Sequence, residues 1–364
     1  MDYNMKLVLK DGRTFLGHSE AAYTETIGEL VFNTSMVGYQ EIATDPSYTD
    51  QIVVMTYPLI GNYGVNEEDS ESRTIGCQAF VVKEYCNEPS NFRYTSTLSE
   101  LLTDFNRPMI SGIDTRELTQ IIRDEGSQVA LITPLDTPED VCLKKLNEWK
   151  PAHDQVERAC SKKKWVSRAR NPKYTVVCID FGTKQNIIRE FNKKNCTVFV
   201  VPYDTTADKI MEYEPDGLFL SNGPGDPVDN PIAINVVKEL RGKLPIFGIC
   251  LGHQIISLAC GAKTYKLKFG HRGSNHAVKN LLTNKIEITS QNHSYAVDEK
   301  SVKGTDLEIT HVNLLDNTVE GVRIDKDYLF SVQYHPEAAA GPEDSEYLFS
   351  VFTNYMTKFK EAKK

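Results

Sequence analysis

Three residues carry the chemistry this chain could do: Cys250, His335 and Glu337. Cys250 ends the apolar run Leu244-Pro245-Ile246-Phe247-Gly248-Ile249 and is followed at once by Leu251-Gly252-His253-Gln254. An apolar strand meets a helix there, with glycines at 248 and 252 flanking the thiol. Glycine lets a backbone turn tightly at such a corner. The pattern follows the logic of a nucleophile elbow, with cysteine as the nucleophile. It places the sulfur near the first amides of a helix, where N–H donors can hold a developing oxyanion. Alone, a thiol in an apolar strand reads equally well as a small core filler. The second motif, Tyr334-His335-Pro336-Glu337, follows the strand-like run Tyr328-Leu329-Phe330-Ser331-Val332-Gln333. In extended chain, residues two apart point the same way, and Pro336 keeps His335 out of the helical region. Glu337 can then sit beside the imidazole, fix its tautomer and stabilise the imidazolium. Nucleophile, base and orienter appear in the order Cys, His, Glu. His253, three residues after Cys250 on the outgoing helix, reads as a packing or hydrogen-bonding residue.

The elements around these residues are those of an α/β chain with two domains, as 364 residues suggest. From Tyr174 the pattern is βαβα: strands at Thr175–Phe181, Thr197–Pro202, Gly217–Ser221 and Pro245–Cys250, helices at Thr183–Lys194, Ala207–Tyr213 and Pro231–Arg241. Continuous apolar strands between helices indicate a parallel sheet covered on both faces. Ligands in such sheets bind at the carboxyl ends of the strands, where both Cys250 and Gly223–Asp226 fall. Residues 262–334 turn β-rich before a closing helix at Asp344–Lys360. Residues 1–145 form a first domain of short β-like runs (Lys6–Lys10, Glu29–Asn33, Ile52–Thr56, Ala79–Lys83) and turns, suggesting a β-rich α+β sandwich. One helix stands out at Thr115–Asp124, where Leu118, Ile121 and Ile122 recur at helical spacing behind Asp114 as N-cap. Between the domains, residues 146–173 are polar and basic, with Lys162-Lys163-Lys164 and Arg168-Ala169-Arg170, and read as a solvated linker. A docking strip for an acidic partner is the other reading. The second domain is 174–364.

Gly248-Ile249-Cys250-Leu251-Gly252-His253-Gln254, together with His335-Pro336-Glu337 and Leu220-Ser221-Asn222-Gly223-Pro224-Gly225-Asp226-Pro227, resembles the class I, triad-type glutamine amidotransferases over about residues 174–360. That resemblance implies a flavodoxin-like open sheet, mostly parallel, with helices on both faces. It also implies hydrolysis of the glutamine side-chain amide through a glutamyl thioester on Cys250. His335 would be the proton carrier, Glu337 its orienter, and the backbone at Leu251 and Gly223–Gly225 the oxyanion site. In the first half, Val31-Phe32-Asn33-Thr34, Gly38-Tyr39-Gln40-Glu41, Asp45-Pro46-Ser47-Tyr48, Thr56-Tyr57-Pro58-Leu59-Ile60-Gly61-Asn62 and Gly112-Ile113-Asp114-Thr115-Arg116 are similar to the first domain of carbamoyl-phosphate synthetase small subunits. The resemblance therefore implies a glutaminase subunit that delivers ammonia to a separate large subunit. That subunit would use MgATP and bicarbonate, and the pair would form a heterodimer or a higher assembly of heterodimers. The alternatives are a glutaminase serving another acceptor synthase, or a catalytically dead regulatory subunit.

The same resemblance implies L-glutamine contacts at Ser47, Gly223, Gly225, Leu251, Gln254, Asn292, Ser294 and Tyr295. Ser294 departs from the Asn-His-Gly common in the family; if that backbone needed positive φ, serine would cost on the order of 1 kcal/mol. Ala339-Ala340 replaces a common Ser-Pro. His271, His276 and His293 are expected to shape the pocket or a subunit contact.

Composition narrows the field. Net charge −9 argues against a nucleic-acid surface, and no window approaches the 18 or so apolar residues of a membrane span. The first residues lack a signal-peptide pattern. No Gly-x-x-x-x-Gly-Lys-[Ser/Thr] loop is present; Gly182-Thr183-Lys184 does not fit it. The eight cysteines show neither Cys-x-x-Cys nor a zinc-type pairing with the eight histidines. No metal or cofactor is expected in this chain, and a working thiol favours a reducing cytoplasm.

Overall fold

The computed structural model describes residues 3–363, which divide after Ala152 into two units. The first contains strands β1 (Met5–Leu9), β2 (Thr14–Ser19), β3 (Thr26–Asn33), β4 (Gln51–Met55), β5 (Leu59–Ile60), β6 (Ala79–Val81), β7 (Glu84–Tyr85), β8 (Met109–Ser111) and β9 (Gln128–Pro134). Seven of them close a barrel in the order β1-β2-β8-β6-β4-β3-β9, with β5 and β7 as a separate ribbon. This corrects the expected sandwich. Strand β1 pairs with β2 on one side and with β9 on the other, and β9 continues onto β3, so the sheet closes without an edge. The helices are α1 (Tyr39–Thr44), α2 (Leu98–Asp104), α3 (Thr115–Glu125) and α4 (Glu139–Glu148). Asp114 caps α3 by accepting from Glu117 N, as the sequence suggested. Thr97 and Glu100 form a reciprocal capping box on α2.

The second unit adds α5 (Gln155–Ala159), β10 (Trp165–Ser167), β11 (Tyr174–Asp180), α6 (Gln185–Lys193), β12 (Cys196–Pro202), α7 (Ala207–Met211), β13 (Gly217–Leu220), α8 (Pro231–Leu240), β14 (Ile246–Ile249) and α9 (Leu251–Ala259). Then come β15 (Thr264–Asn280), β16 (Lys285–Val297), α10 (Glu299–Val302), β17 (Glu308–Asn313), β18 (Val319–Ile324), β19 (Leu329–Val332) and α11 (Tyr347–Ala362). One ten-stranded sheet runs β10-β12-β11-β13-β14-β19-β18-β16-β15-β17. Strands β12, β11, β13, β14 and β19 are mutually parallel; β18, β16, β15 and β17 extend the sheet in antiparallel fashion. Alternation along the parallel strands divides the core. Val176, Cys178, Phe219 and Phe247 pack with Ile188, Phe191, Phe349 and Phe352 of α6 and α11. Val177, Ile179, Leu218 and Ile246 pack with Val236, Val237, Ile255 and Ile256 of α8 and α9.

Residues 146–173 are not the continuous linker that their composition suggested. Their start finishes α4, Val156 of α5 joins the second core, and Trp165–Ser167 is an edge strand paired to Val198–Val200. The apolar body of Trp165 packs on the sheet while the lysines before it stay exposed. The chain thus enters the second unit well before Tyr174.

Candidate active site

Neighbouring parallel strands release the site from their carboxyl ends: β11 into Phe181–Lys184, β13 into Ser221–Asp226, β14 into Cys250 and β19 into Gln333–Glu337. Cys250 is the N-cap of α9 with φ 54° and ψ −106°, a strained conformation for a residue with a Cβ, costing on the order of 1–3 kcal/mol. The surrounding backbone fixes it. Cys250 N donates to Val332 O at 2.9 Å, Gln254 N to Cys250 O at 3.2 Å, and Gly252 N to Ser221 O at 3.0 Å. A Cβ at Gly252 would lie 2.2 Å from Leu220 O, so only glycine lets α9 approach β13 this closely. The Cys250 thiol is buried and donates to Asn292 O at 3.5 Å.

His335 is held against β16 by its own N–H, which donates to Ser290 O at 2.9 Å. Its Nδ1 donates to Glu337 Oε1 at 2.7 Å. That fixes the tautomer and leaves Nε2, which is buried and otherwise unpartnered, for the Cys250 side chain beside it. Burial opposes a charged imidazole, but the Glu337 carboxylate and the Cys250 contact raise His335 to about 10. Burial likewise opposes charge on Glu337, and the Lys184 and His335 cations overcome it, holding the carboxyl at about 2.

Lys184 is the residue that sequence reasoning missed. Its buried ammonium donates to Glu337 Oε1 at 2.9 Å and to Ala338 O at 3.3 Å. The available signal was positional, since Phe181–Lys184 leaves the carboxyl end of β11 as Ser221–Asp226 leaves that of β13.

The other expected contacts fall as follows. Gly223 is pressed between Phe181 and the elbow: a Cβ there would lie 2.5 Å from Phe181 O and 2.9 Å from Leu251 Cδ2. Gly225 has φ +87°. Gln254 Nε2 donates to Tyr295 O at 2.8 Å and Gln333 Oε1 at 2.9 Å, tying α9 to β16 and to the segment that leaves β19. Asn292, Ser294 and Tyr295 share β16. The feared strain at Ser294 is absent, because its φ is not positive; it continues a strand, and its hydroxyl accepts from the buried Arg272 guanidinium. Ser47 belongs to the first unit, in the single turn Pro46–Tyr48, with its N–H bonded to Asp45 Oδ1 at 2.9 Å. His253 is buried against Ser331 Oγ at 2.9 Å, and burial lowers it to about 3.

Among the described residues, His271, His293 and Glu320 bring metal-type ligand atoms within 4.8 Å of one another. Most of those nitrogens are already engaged. His271 Nε2 pairs with Asp316 at 2.9 Å, and His293 contacts Tyr295 O at 2.8 Å and Gln291 Oε1 at 2.7 Å. Burial opposes charge on His271, yet Asp316 and Glu320 raise it to about 9, which makes the cluster an ion pair with hydrogen-bonded neighbours. All eight cysteines are free. No helix among the described residues is long and apolar enough to cross a membrane.

The class-I glutamine amidotransferase family model matches residues 177–355, and that of the carbamoyl-phosphate synthase small chain, CPSase domain, matches residues 7–132. The chain is 52% identical to a carbamoyl phosphate synthase small chain of Fusobacterium nucleatum, over 96% of this chain and 97% of that one. It is 51% identical to the protein of that name from Bacillus caldolyticus, over 98% and 97%. A Staphylococcus epidermidis relative of the same name is 50% identical, over 98% and 96%. Among solved structures, a glutamine amidotransferase of Thermotoga maritima covers 52% of this chain and 85% of its own, at 16% identity and a TM-score of 0.38, too distant to bear on the fold.

Proposed function

The chain belongs to the carbamoyl phosphate synthase small-chain family, and we infer from that premise that it is the glutamine-hydrolysing subunit of a carbamoyl phosphate synthase. The observation that carries the chemistry is the strained elbow thiol beside an imidazole whose far nitrogen is locked onto a carboxylate.

Cys250 Sγ attacks the glutamine δ-carbonyl carbon with the thiol proton on His335 Nε2, either taken during the attack or already held there as the imidazolium. Backbone N–H groups at Leu251 and in Gly223–Gly225 are the proposed donors to the oxyanion. Collapse of the tetrahedral adduct breaks the C–N bond, and His335 returns the proton to the leaving nitrogen, releasing ammonia and a Cys250 glutamyl thioester. Water then attacks the thioester carbon with His335 as base, giving glutamate and the free thiol. Glu337 orients His335 throughout, and Lys184 keeps Glu337 ionised. The proposed glutamine contacts are Gly223, Gly225, Leu251, Gln254, Asn292, Ser294 and Tyr295, together with Ser47 on the family resemblance.

Ammonia passes to a large subunit that makes carbamoyl phosphate from bicarbonate, ammonia and ATP. Bulk water would protonate ammonia and remove its lone pair, which favours direct transfer. MgATP is proposed to bind the large subunit alone, and the assembly to be a heterodimer or a multiple of one in the cytoplasm. The test is carbamoyl phosphate formation by this chain with its large subunit, MgATP and bicarbonate. Glutamine should serve only when this chain is present, and ammonium also in its absence. Glutamine use by the large subunit alone would refute the assignment.

A further inference from the structure

We propose that Glu287 is a positioning residue for the His335–Glu337 pair, an inference that rests on the catalytic reading above. Glu287 lies on β16 with 6% of its surface exposed. Its four hydrogen-bond donors are all neutral: Asn280 Nδ2 at 3.2 Å and Tyr347 Oη at 2.9 Å to Oε1, Ser345 Oγ at 2.9 Å and Tyr334 Oη at 3.5 Å to Oε2. Four donors match the acceptor capacity of one carboxylate. An apolar residue of similar size would avoid the cost of burying a polar side chain, so stability alone does not call for an acid here.

Asn280 ends β15, and the other three donors share a place in the chain. Tyr334 immediately precedes His335, while Ser345 and Tyr347 close the same loop into α11. Both ends of the segment that carries His335 and Glu337 therefore converge on one side chain. The loop between them is not relaxed, since Ala338 and Ala339 have φ of 54° and 41°, an unfavourable region for alanine. Strand β16 holds the loop at two further points, Ser290 O accepting from His335 N and Ile288 N donating to Asp344 Oδ2 at 2.9 Å. From β16, the Glu287 side chain grips both ends of the loop. Its loss lets the strained segment relax and moves His335 relative to Cys250. Displacements of about 1 Å at reacting groups cost on the order of 10²-fold in rate.

The experiment uses the holoenzyme with Glu287→Leu and Glu287→Gln, measuring kcat and KM for glutamine, the ammonium-dependent rate and the melting temperature. E287L should lower the glutamine-dependent kcat by about ten- to a hundredfold with KM within about twofold, leaving ammonium-dependent synthesis unchanged. E287Q should recover most of the loss, because its amide oxygen still accepts and the hydroxyls can rotate to accept from its nitrogen. A lowered melting temperature with wild-type kcat, or a raised KM at wild-type kcat, would overturn the proposal. If E287L does not assemble, Ser345→Ala with Tyr347→Phe removes two donors and must lower kcat in the same way; a wild-type kcat in that double variant also overturns it. Failure of the wild-type holoenzyme to use glutamine would count against the catalytic reading instead.

Discussion

Lys184 Nζ lies 2.9 Å from Glu337 Oε1, on the same oxygen that accepts His335 Nδ1 at 2.7 Å. One buried carboxylate oxygen thus faces two cationic groups, 153 residues apart in the chain in the case of Lys184. The site is a tetrad in its electrostatics, although in the proposed mechanism only Cys250 and His335 take part in proton and acyl transfer.

Lys184→Met should therefore weaken the fold in acid. The depressed Glu337 carboxyl contributes stability that is fully present above about 4.5 and is lost as pH falls toward about 2. Without the ammonium the carboxyl titrates at higher pH, so the acid-unfolding midpoint followed by circular dichroism should move upward. An unchanged midpoint would mean that Lys184 does not hold Glu337 ionised.

Glu337→Gln should act in the opposite pH range. His335 raised to about 10 contributes stability that is fully present below about 6.5 and disappears as pH rises through about 10. Urea unfolding should show the variant less stable than wild type near pH 6, with the gap closing toward pH 10. Glutamine-dependent turnover should fall by about 10²-fold or more, as loss of an oriented acid–base group implies. A stability gap that widens with pH would contradict this account.

Ser294→Gly would restore the residue common in the family, yet it should not improve this chain. The substitution removes the hydroxyl that accepts from buried Arg272 and puts glycine inside a strand, a loss of about 0.5–1 kcal/mol for the backbone alone. Thermal melting should drop by a few degrees. A higher melting temperature would show that the serine is strained after all.

The sequence made the elbow and the His-Pro-Glu motif legible because both depend on local rules: glycine at a close approach, and alternation in extended chain. Asp114 as a cap followed from the same kind of evidence. Barrel closure did not, because it rests on β1 pairing with β9 more than a hundred residues away. The edge strand at Trp165–Ser167 was hidden in a basic stretch, where three residues form a strand only because Val198–Val200 is there to pair with. Lys184 and Glu287 were illegible for a related reason. A single charged residue is ordinarily solvated, and only its distant partners reveal that it is buried.

The most direct test of the central claim is chemical trapping. Holoenzyme mixed with labelled glutamine should be acid-quenched during turnover and digested, and the peptides read by mass spectrometry. The account predicts a glutamyl thioester on the peptide bearing Cys250, absent from Cys250→Ala. Steady hydrolysis of glutamine with no adduct at Cys250, or undiminished hydrolysis by Cys250→Ala, would contradict it.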